Sequence, residues 1–434
     1  MPTLANIKII VSGNQTRDAK ISFHNGKISA LDDDCHDENE LIDGEGLLLI
    51  PGAIDPHTHF DDPGYTWRED FYHGSLGAIA GGVSTIFDMP CTSVPPVTNV
   101  IAFYNKMKIV SPNAWCDFRL WGGISADSLD SPLWKNHIEQ LKNAGAIAFK
   151  TYVISGMDSF PQLTYDDYKK ILKFAAEIDV LIGVHAEDPE IIANATAKIS
   201  GDSPKDYTAS RPVDAEVTAI RRVGEIAGET GAKIHIVHVS SGSGAEEIAR
   251  LQKRGVNISG ETCPQYLAFT IDDLCRLGSV LKCAPPVRSK EENEKLWSFL
   301  GKSISFLATD HAPCSEKEKN TGNFMTDYSG MPGVELMLPF ALHYGYHQEK
   351  MTLEEVIKFT SENAAKRFGL YPQKGSLKIG ADADFALVNL NTMNKVEAEK
   401  LKSKGKFTPF DGKTFCGSVE QTFIRGERVF KRQN

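Results

Sequence analysis

The stretch LLLIPGAIDPHTHFDDPG (47–64) joins an apolar run to a pair of histidines and then breaks into Asp, Pro and Gly. Residues i and i+2 of a β-strand point to the same side, so His57 and His59 leave the strand end side by side. Such a pair is either two structural histidines bonded to backbone or half of a metal site, because imidazole is the commonest protein metal ligand. The metal interpretation requires further ligands at matching strand ends.

The composition is that of a globular protein without a polyanionic or membrane partner. A chain of 434 residues is too long for one ordinary core and indicates two or three domains, or one large α/β barrel with an appendage. The net charge of -10 is spread along the chain without a basic block, which argues against nucleic acid. The N-terminal residues lack the layout of a signal peptide, and no apolar run approaches the ~20 residues that span a bilayer. The eight cysteines form no C-x-x-C pair, which is typical of free thiols in a reducing cytoplasm.

The central part of the chain alternates strand-like and helical patterns. Such alternation favours a parallel sheet, and eight units predict a (β/α)₈ TIM barrel over residues 52–374, with the active site at the C-terminal ends of the strands. A doubly wound open sheet is the alternative, but no G-x-G-x-x-G follows the first strand. The eight apolar runs are 49–59, 82–90, 115–124, 146–153, 180–188, 233–241, 256–264 and 303–313.

The two ends of the chain carry short β-rich runs separated by turns, such as IKIIVSG near the N-terminus and GSVEQTFIRGERVF near the C-terminus. The HNG at 24–26 predicts a hairpin, because Asn-Gly accepts positive φ at both central positions of a tight turn. Neither end has enough strands for a core of its own. Residues 1–51 and 375–434 are therefore expected to form one small β-sandwich domain together.

Polar residues at the ends of five predicted strands provide the further ligands. Each alone has a structural explanation. A strand histidine is usually hydrogen-bonded within the fold, a buried lysine is usually ion-paired, and an aspartate often caps a turn. Their gathering at the catalytic ends of barrel strands instead predicts a metal site. The predicted ligands are His57, His59, Lys150, His185, His238 and Asp310.

The ligand types indicate two divalent ions. Four imidazoles and one carboxylate suit zinc better than calcium or magnesium. Lys150 would repel metals as an ammonium, but a deprotonated amine can take up carbon dioxide and become N6-carboxylysine, a carboxylate long enough to bridge two ions. Two such ions can share a hydroxide and polarise a substrate carbonyl. Asp310 is the predicted catalytic residue, which ligates one ion and moves the proton to the leaving nitrogen.

This order of residues resembles the cyclic amidohydrolases of the binuclear amidohydrolase superfamily, which include dihydroorotase, allantoinase and hydantoinase (dihydropyrimidinase). The resemblance covers nearly the whole chain and rests on GAIDPHTHFDDPG, GGVSTIFDMP, ETCPQYL, CAPPVR, TDHAP and GMPGVE. It implies a metal-dependent hydrolase that opens a cyclic amide, commonly as a dimer or tetramer. Dihydropyrimidinase-related scaffold proteins share the fold but have lost metal ligands, whereas this chain keeps all six.

The substrate is indicated by the ring-binding positions of the family. Dihydroorotases resemble this chain but carry Arg and Asn, which hold the substrate carboxylate, where Asp61 and Cys91 stand here. Asp61 is expected to repel that carboxylate. Hydantoinases typically have Tyr at the position of Ser155. Allantoinases share SRPV…EV.AIRRV (210–223), KCAPP.R (282–288) and DH.PC (310–314), so allantoin is the expected ring, with dihydroorotase and hydantoinase as alternatives.

The resemblance also implies where the ring lies. The substrate is expected between the metals and the loops after strands 7 and 8, where Cys314 replaces the substrate-contacting His of dihydroorotases. One departure concerns the motif after His-x-His, which usually reads Asn-Glu-Pro-Gly-Arg in allantoinases and here ends in Tyr65. The predicted substrate-binding residues are Ser155, Ala284, Cys314 and Ser329.

Overall fold

The computed structural model describes residues 2–35 and 40–433, and its strands form one parallel barrel and one terminal sheet. The strands before the barrel are β1 (Thr3–Ser12), β2 (Gln15–His24), β3 (Lys27–Leu31), β4 (Leu41–Asp43) and β5 (Leu48–Pro51). The barrel strands are β6 (Ala53–Thr58), β7 (Val83–Asp88), β8 (Asp117–Leu120), β9 (Gly122–Gly123), β10 (Phe149–Tyr152), β11 (Leu181–His185), β12 (Lys233–Ile236), β13 (Ile258–Thr262) and β14 (Ile304–Leu307). The last strands are β15 (Phe385–Lys395), β16 (Thr414–Ile424) and β17 (Glu427–Lys431).

The barrel consists of two parallel arcs, β6-β7-β8 and β9-β10-β11-β12-β13-β14. The arcs are continuous because only Trp121 separates β8 from β9. On the other side, the His59 N–H donates to the His311 carbonyl at 2.7 Å and closes the ring. The predicted (β/α)₈ barrel is confirmed, with a strand in each of the eight predicted runs, and the open-sheet alternative is wrong.

Helices fill the intervals between the barrel strands. None of them, within the described ranges, has the length and apolarity to cross a bilayer. The helices are α1 (Phe71–Ala80), α2 (Val100–Val110), α3 (Ala126–Asp130), α4 (Trp134–Ala144), α5 (Tyr165–Glu177), α6 (Pro189–Thr196), α7 (Pro204–Ser210), α8 (Val213–Thr230), α9 (Gly242–Lys253), α10 (Pro264–Ala268), α11 (Ile271–Leu277), α12 (Lys290–Trp297), α13 (Glu316–Lys319), α14 (Met337–Phe340), α15 (Leu353–Ile357) and α16 (Asn363–Arg367).

The α5 helix illustrates how local sequence produces these elements. It begins after Thr164, whose side chain accepts from the Asp167 N–H while the Asp167 carboxylate accepts from the Thr164 N–H, a reciprocal cap of the first turn. Its buried side chains recur at helical spacing, at Tyr168, Ile171, Leu172 and Ala175. This apolar stripe packs on the barrel, and the polar face stays in solvent.

The terminal sheet combines both ends of the described chain, in the order β17-β16-β15-β5-β1-β2-β3 with β4 beside β1. Asn25 (φ 49°) and Gly26 (φ 75°) form the predicted two-residue turn between β2 and β3. The β5 strand lies inside this sheet and continues, after Gly52, into β6 of the barrel. The domain boundaries at 51/52 and 374/375 stay a prediction.

A buried ion pair ties α2 to the end of β7. The Lys106 ammonium, 1% exposed, lies 2.5 Å from Asp88 Oδ2 and 2.6 Å from Ser93 Oγ. Asp88 Oδ1 also accepts from the Phe60 N–H at 2.8 Å, next to the histidine pair. All partners of this carboxylate are therefore inside the protein.

We expect Lys106→Met to lower the free energy of unfolding by about 3 kcal/mol or more, because it leaves the Asp88 carboxylate buried without its cation. Urea denaturation followed by tryptophan fluorescence measures the change. Lys108→Met, at an exposed position of the same helix, is the matched control and should change stability by about 0.5 kcal/mol at most. Equal stability of the two variants would contradict a stabilising role of the buried pair.

Candidate active site

A cavity of about 870 Å³ opens at the C-terminal ends of the barrel strands. Five of the six predicted ligands line it: His57, His59, His185, His238 and Asp310. The sixth, Lys150, is fully buried on β10, and its ammonium nitrogen lies 4.7 Å from the centre of the Tyr152 ring that lines the cavity. The structure thus brings all six predicted residues to the same end of the barrel.

One group of these side chains consists of His57, His59 and Asp310. The Nε2 atoms of the two histidines lie 3.2 and 3.3 Å from Asp310 Oδ1. One ligand atom from each of the three side chains lies within 4.8 Å of the others, close enough to bind a single ion. Asp310 itself is 14% exposed, so its carboxylate also faces the cavity.

A second group lies beside the first. His185 Nδ1 is 2.9 Å from His238 Nε2, and the centres of their rings are 4.6 Å apart. The His238 ring is also 5.3 Å from the His57 ring, so the two groups are neighbours. His238 and Asp310 both have positive φ, at 41° and 50°, a strained conformation that recurs at functional sites.

The donor set fits a cation because several of its buried atoms, among the described residues, lack a hydrogen-bond partner. Among the described residues, His57 Nε2, His238 Nδ1 and Lys150 Nζ make no hydrogen bond. Buried polar atoms are rarely left unpaired in native proteins, and an ion explains such a cluster. Burial also holds the pKa of the His57 and His238 imidazoles well below its usual range, which keeps them in the neutral form that binds metal.

Burial has the same effect on Lys150. It lowers the pKa of the amine, which favours the uncharged state. The uncharged amine is the form that a carbamate requires.

The carboxylate of Glu261 on β13 contacts the rings of two histidines and the backbone of a third. Its Oε1 lies 2.6 Å from His57 Nδ1 and accepts from the His238 backbone N–H at 3.3 Å. Its Oε2 lies 3.1 Å from Nε2 of His235, which is fully buried. Carboxylates behind a ligating imidazole fix its tautomer and orientation. Glu261 was not predicted from the sequence, because the strand ISGET that carries it mixes polar and apolar residues.

A second carboxylate, Glu187, supports His185. Its Oε2 lies 2.9 Å from His185 Nε2, so that Nδ1 of that ring is directed towards His238. Arg211 pairs with the same carboxylate, with Nε donating to Oε1 at 3.1 Å. Both residues were missed, although Glu187 follows His185 by two positions and Arg211 lies in the SRPV motif.

His311, next to Asp310, supports the site from outside the cavity. Its Nδ1 accepts from the Gly333 and Val334 N–H groups at 3.1 and 3.3 Å, and its Nε2 lies 3.2 Å from Glu69 Oε2. Together with its carbonyl bond to His59, these contacts anchor the strand end that carries the histidine pair.

Three of the four predicted substrate-binding residues, Ser155, Ala284 and Ser329, line the cavity. Cys314 does not. The chain after Asp310 places Ala312 at the cavity surface and turns Cys314 into the protein, where burial raises the pKa of its thiol to about 11. The contact of Cys314 with substrate stays a prediction that its burial does not support.

The two positions that differ from dihydroorotases have different environments. Cys91 lines the cavity, with Sγ 3.1 Å from the Tyr152 hydroxyl. Asp61 is fully buried behind the lining, and burial raises the pKa of its carboxyl to about 7. Asp61 is not among the residues that line the cavity, and its repulsion of a substrate carboxylate stays a prediction.

Comparisons with known proteins agree with this site. The model of the family described as "Amidohydrolase family" matches residues 48–429. The chain is 36% identical over 426 residues to an allantoinase of Solibacter usitatus, covering 97% of this chain and 92% of that protein. It is 34% identical over 433 residues to an L-hydantoinase of Paenarthrobacter aurescens, covering 98% and 93%.

Solved structures give the same result. The L-hydantoinase (dihydropyrimidinase) from Arthrobacter aurescens superposes with a TM-score of 0.94 at 33% identity, covering 100% of this chain and 96% of that one. The D-hydantoinase from Bacillus sp. AR9 superposes with a TM-score of 0.90 at 27% identity, covering 99% and 95%. The resemblance found in the sequence is confirmed: the chain belongs to the amidohydrolase family.

Proposed function

We propose that the protein hydrolyses the ring amide of a cyclic ureide and that its substrate is allantoin, which it opens to allantoate. The observation that carries this proposal is the convergence of four imidazoles, Asp310 and an unpartnered buried lysine on one cavity at the catalytic end of the barrel. The substrate is supported by the allantoinases among the relatives, at 36% identity over nearly the whole chain. The intact ligand set argues against a non-catalytic scaffold.

Two divalent cations fit this cavity, and the imidazole-rich donor set favours zinc. His57, His59 and Asp310 would hold one ion, and His185 and His238 the other. When bound, the ions polarise the scissile carbonyl and activate water near neutral pH. Lys150 is proposed to bridge them as N6-carboxylysine, formed when its uncharged amine attacks carbon dioxide and releases one proton.

Asp310 is proposed to move the proton. Its carboxylate faces the cavity beside the two histidine Nε2 atoms. It accepts the proton of the attacking water and donates it to the ring nitrogen as the C–N bond breaks, which regenerates the carboxylate.

The charges around the cavity favour a neutral ring. Its lining cations are already engaged in the described part of the chain: Arg68 with Glu318, Arg211 with Glu187, and the Lys282 ammonium with backbone carbonyls. A substrate carboxylate would therefore find no uncommitted cation there. A second candidate function is the opening of substituted hydantoins, which the likeness to the L-hydantoinase structure favours.

A substrate panel tests the assignment. With metal-loaded enzyme, we expect kcat/KM for allantoin to exceed that for dihydroorotate by about tenfold to a hundredfold, because the dihydroorotate carboxylate lacks a charge-assisted partner. Hydantoin and dihydrouracil complete the panel, and chelator-treated enzyme is the control. Higher activity on hydantoin would select the second candidate, and dihydroorotate turned over as fast as allantoin would overturn the ring assignment.

The assembly and location are proposals as well. A homo-oligomer, dimer or tetramer, is supported by the exposed apolar face of α2, where Ile101 is 72% exposed beside Tyr104 and Ile109. Light scattering after gel filtration measures the number of subunits. A cytoplasmic location is supported by the eight cysteines, all of them free thiols.

A further inference from the structure

Two buried lysines join two segments of the cavity wall. Lys282 is 1% exposed and comes just before Ala284, while Lys319 is 3% exposed and ends α13. Between α13 and Met331 the chain runs as a loop, whose residues Met325, Asp327, Tyr328 and Ser329 line the cavity. This part of the cavity wall thus depends on a loop without regular secondary structure.

The Lys282 ammonium binds backbone carbonyls of this loop. Its Nζ donates to the carbonyls of Phe324 at 2.5 Å, Met325 at 3.0 Å and Asp327 at 2.6 Å. These three bonds use all the donors of an ammonium. The Lys282 side chain also lies over the rings of Tyr207 and Phe324, at 4.7 and 5.2 Å from their centres.

The Lys319 ammonium binds both segments at once. Its Nζ donates to the carbonyls of Tyr328 at 2.8 Å and Gly330 at 2.6 Å, on the loop, and to that of Lys282 at 3.2 Å. The Gly330 N–H closes the connection by donating to the same Lys282 carbonyl at 3.0 Å. The backbone beside Ala284 and the backbone beside Ser329 are thereby held together.

The partners of these cations are unusual. Neither ammonium lies in a carboxylate ion pair among the described residues, and Asp327 instead accepts from Ser279 and Thr321. A buried charge held by carbonyl dipoles and ring faces, without a carboxylate, is stable only while those groups stay in place. The arrangement therefore favours one conformation of the loop. Burial lowers the pKa of both lysines to about 8, so both remain protonated at pH 7.

We propose that Lys282 and Lys319 are positioning residues that lock the Ala284 and Ser329 segments into one rigid wall against which the substrate ring binds. The inference rests on the proposed function, because it requires that the wall contacts the ring of the substrate. It assigns the lysines no part in the chemistry. They determine how well the cavity is formed before the substrate enters.

The test uses Lys282→Met and Lys319→Met in the full-length, metal-loaded enzyme at pH 7. Each variant loses charge-assisted hydrogen bonds that hold the loop, so we expect KM to rise about tenfold while kcat changes by less than about threefold. The double variant should raise KM by less than the product of the single effects, since both lysines hold the same loop. Lys317→Met, exposed on the same helix, is the matched control and should leave KM unchanged.

Two further measurements separate positioning from a general structural role. Metal content should equal that of the wild type, and hydrogen exchange should accelerate at the amides of 321–330 but not in the barrel strands. An unchanged KM, or a loss of metal with a fall in kcat, overturns the proposal. If a methionine variant fails to fold, the glutamine variant at the same lysine is used instead. Glutamine keeps two N–H donors, so its KM should rise less. Because hydrogen exchange needs no substrate, its result holds even if allantoin is not the substrate.

Discussion

Lys150→Ala is expected to reduce kcat/KM by at least about a thousandfold and to lower the metal content from about two equivalents per chain to below one. The lysine is fully buried, its Nζ makes no hydrogen bond among the described residues, and it lies near both groups of histidines. Alanine removes the proposed bridge and leaves the imidazoles to hold the ions alone. Elemental analysis and steady-state kinetics on the same chelator-free preparation measure both effects.

Chemical rescue makes the Lys150 test specific. If the carbamate only supplies a bridging carboxylate, then acetate or propionate should enter the gap and restore part of both metal content and activity. Lys169→Ala, at an exposed position on α5, is the control and should behave like the wild type. A Lys150→Ala enzyme with two metals and full activity would refute the bridge.

Asp310→Asn is expected to lower kcat by about a hundredfold to ten-thousandfold, the usual contribution of a positioned general acid–base group. Asparagine keeps the volume and one oxygen ligand but cannot carry the proton. We therefore expect at least one metal to remain bound and KM to change little. The measurement is kcat and KM for the best substrate of the panel, together with metal content.

Asp158→Asn is the matched control for Asp310, because Asp158 also lines the cavity but is exposed and is not one of the predicted ligands. It should change kcat by less than about threefold, since it has no role in the chemistry. If Asp310→Asn keeps kcat within that same range, another group must move the proton.

The barrel and the convergence of the six predicted ligands on one of its ends were predictable because their signals are local. Each barrel strand is an apolar run, and the predicted metal ligands stand at the C-terminal ends of such runs, where alternation and strand direction determine the side on which they lie. The hairpin at Asn25-Gly26 follows from two adjacent residues that accept positive φ. These features need no knowledge of distant contacts.

The residues that the sequence did not reveal depend on contacts across the fold. Glu261 is recognisable as a support only once β13 lies beside β12 and faces His57 across the barrel. Arg211 gains its role from Glu187, on a different element. The burial of Cys314 was not predictable, because the direction of the turn after Asp310, which brings Ala312 to the cavity lining, depends on packing against the 330–331 segment.

The strand that precedes the histidine pair has its main partner at the far end of the chain. β5 pairs with β1 at a single position, Lys8 with Leu48, but with β15 from Leu48 to Pro51. During synthesis, β5, which leads into His57 and His59, therefore cannot complete its hydrogen bonds until β15 has been made. A nascent chain that has made every ligand but not yet Phe385–Val388 should hold metal poorly, which makes the catalytic centre a late product of translation.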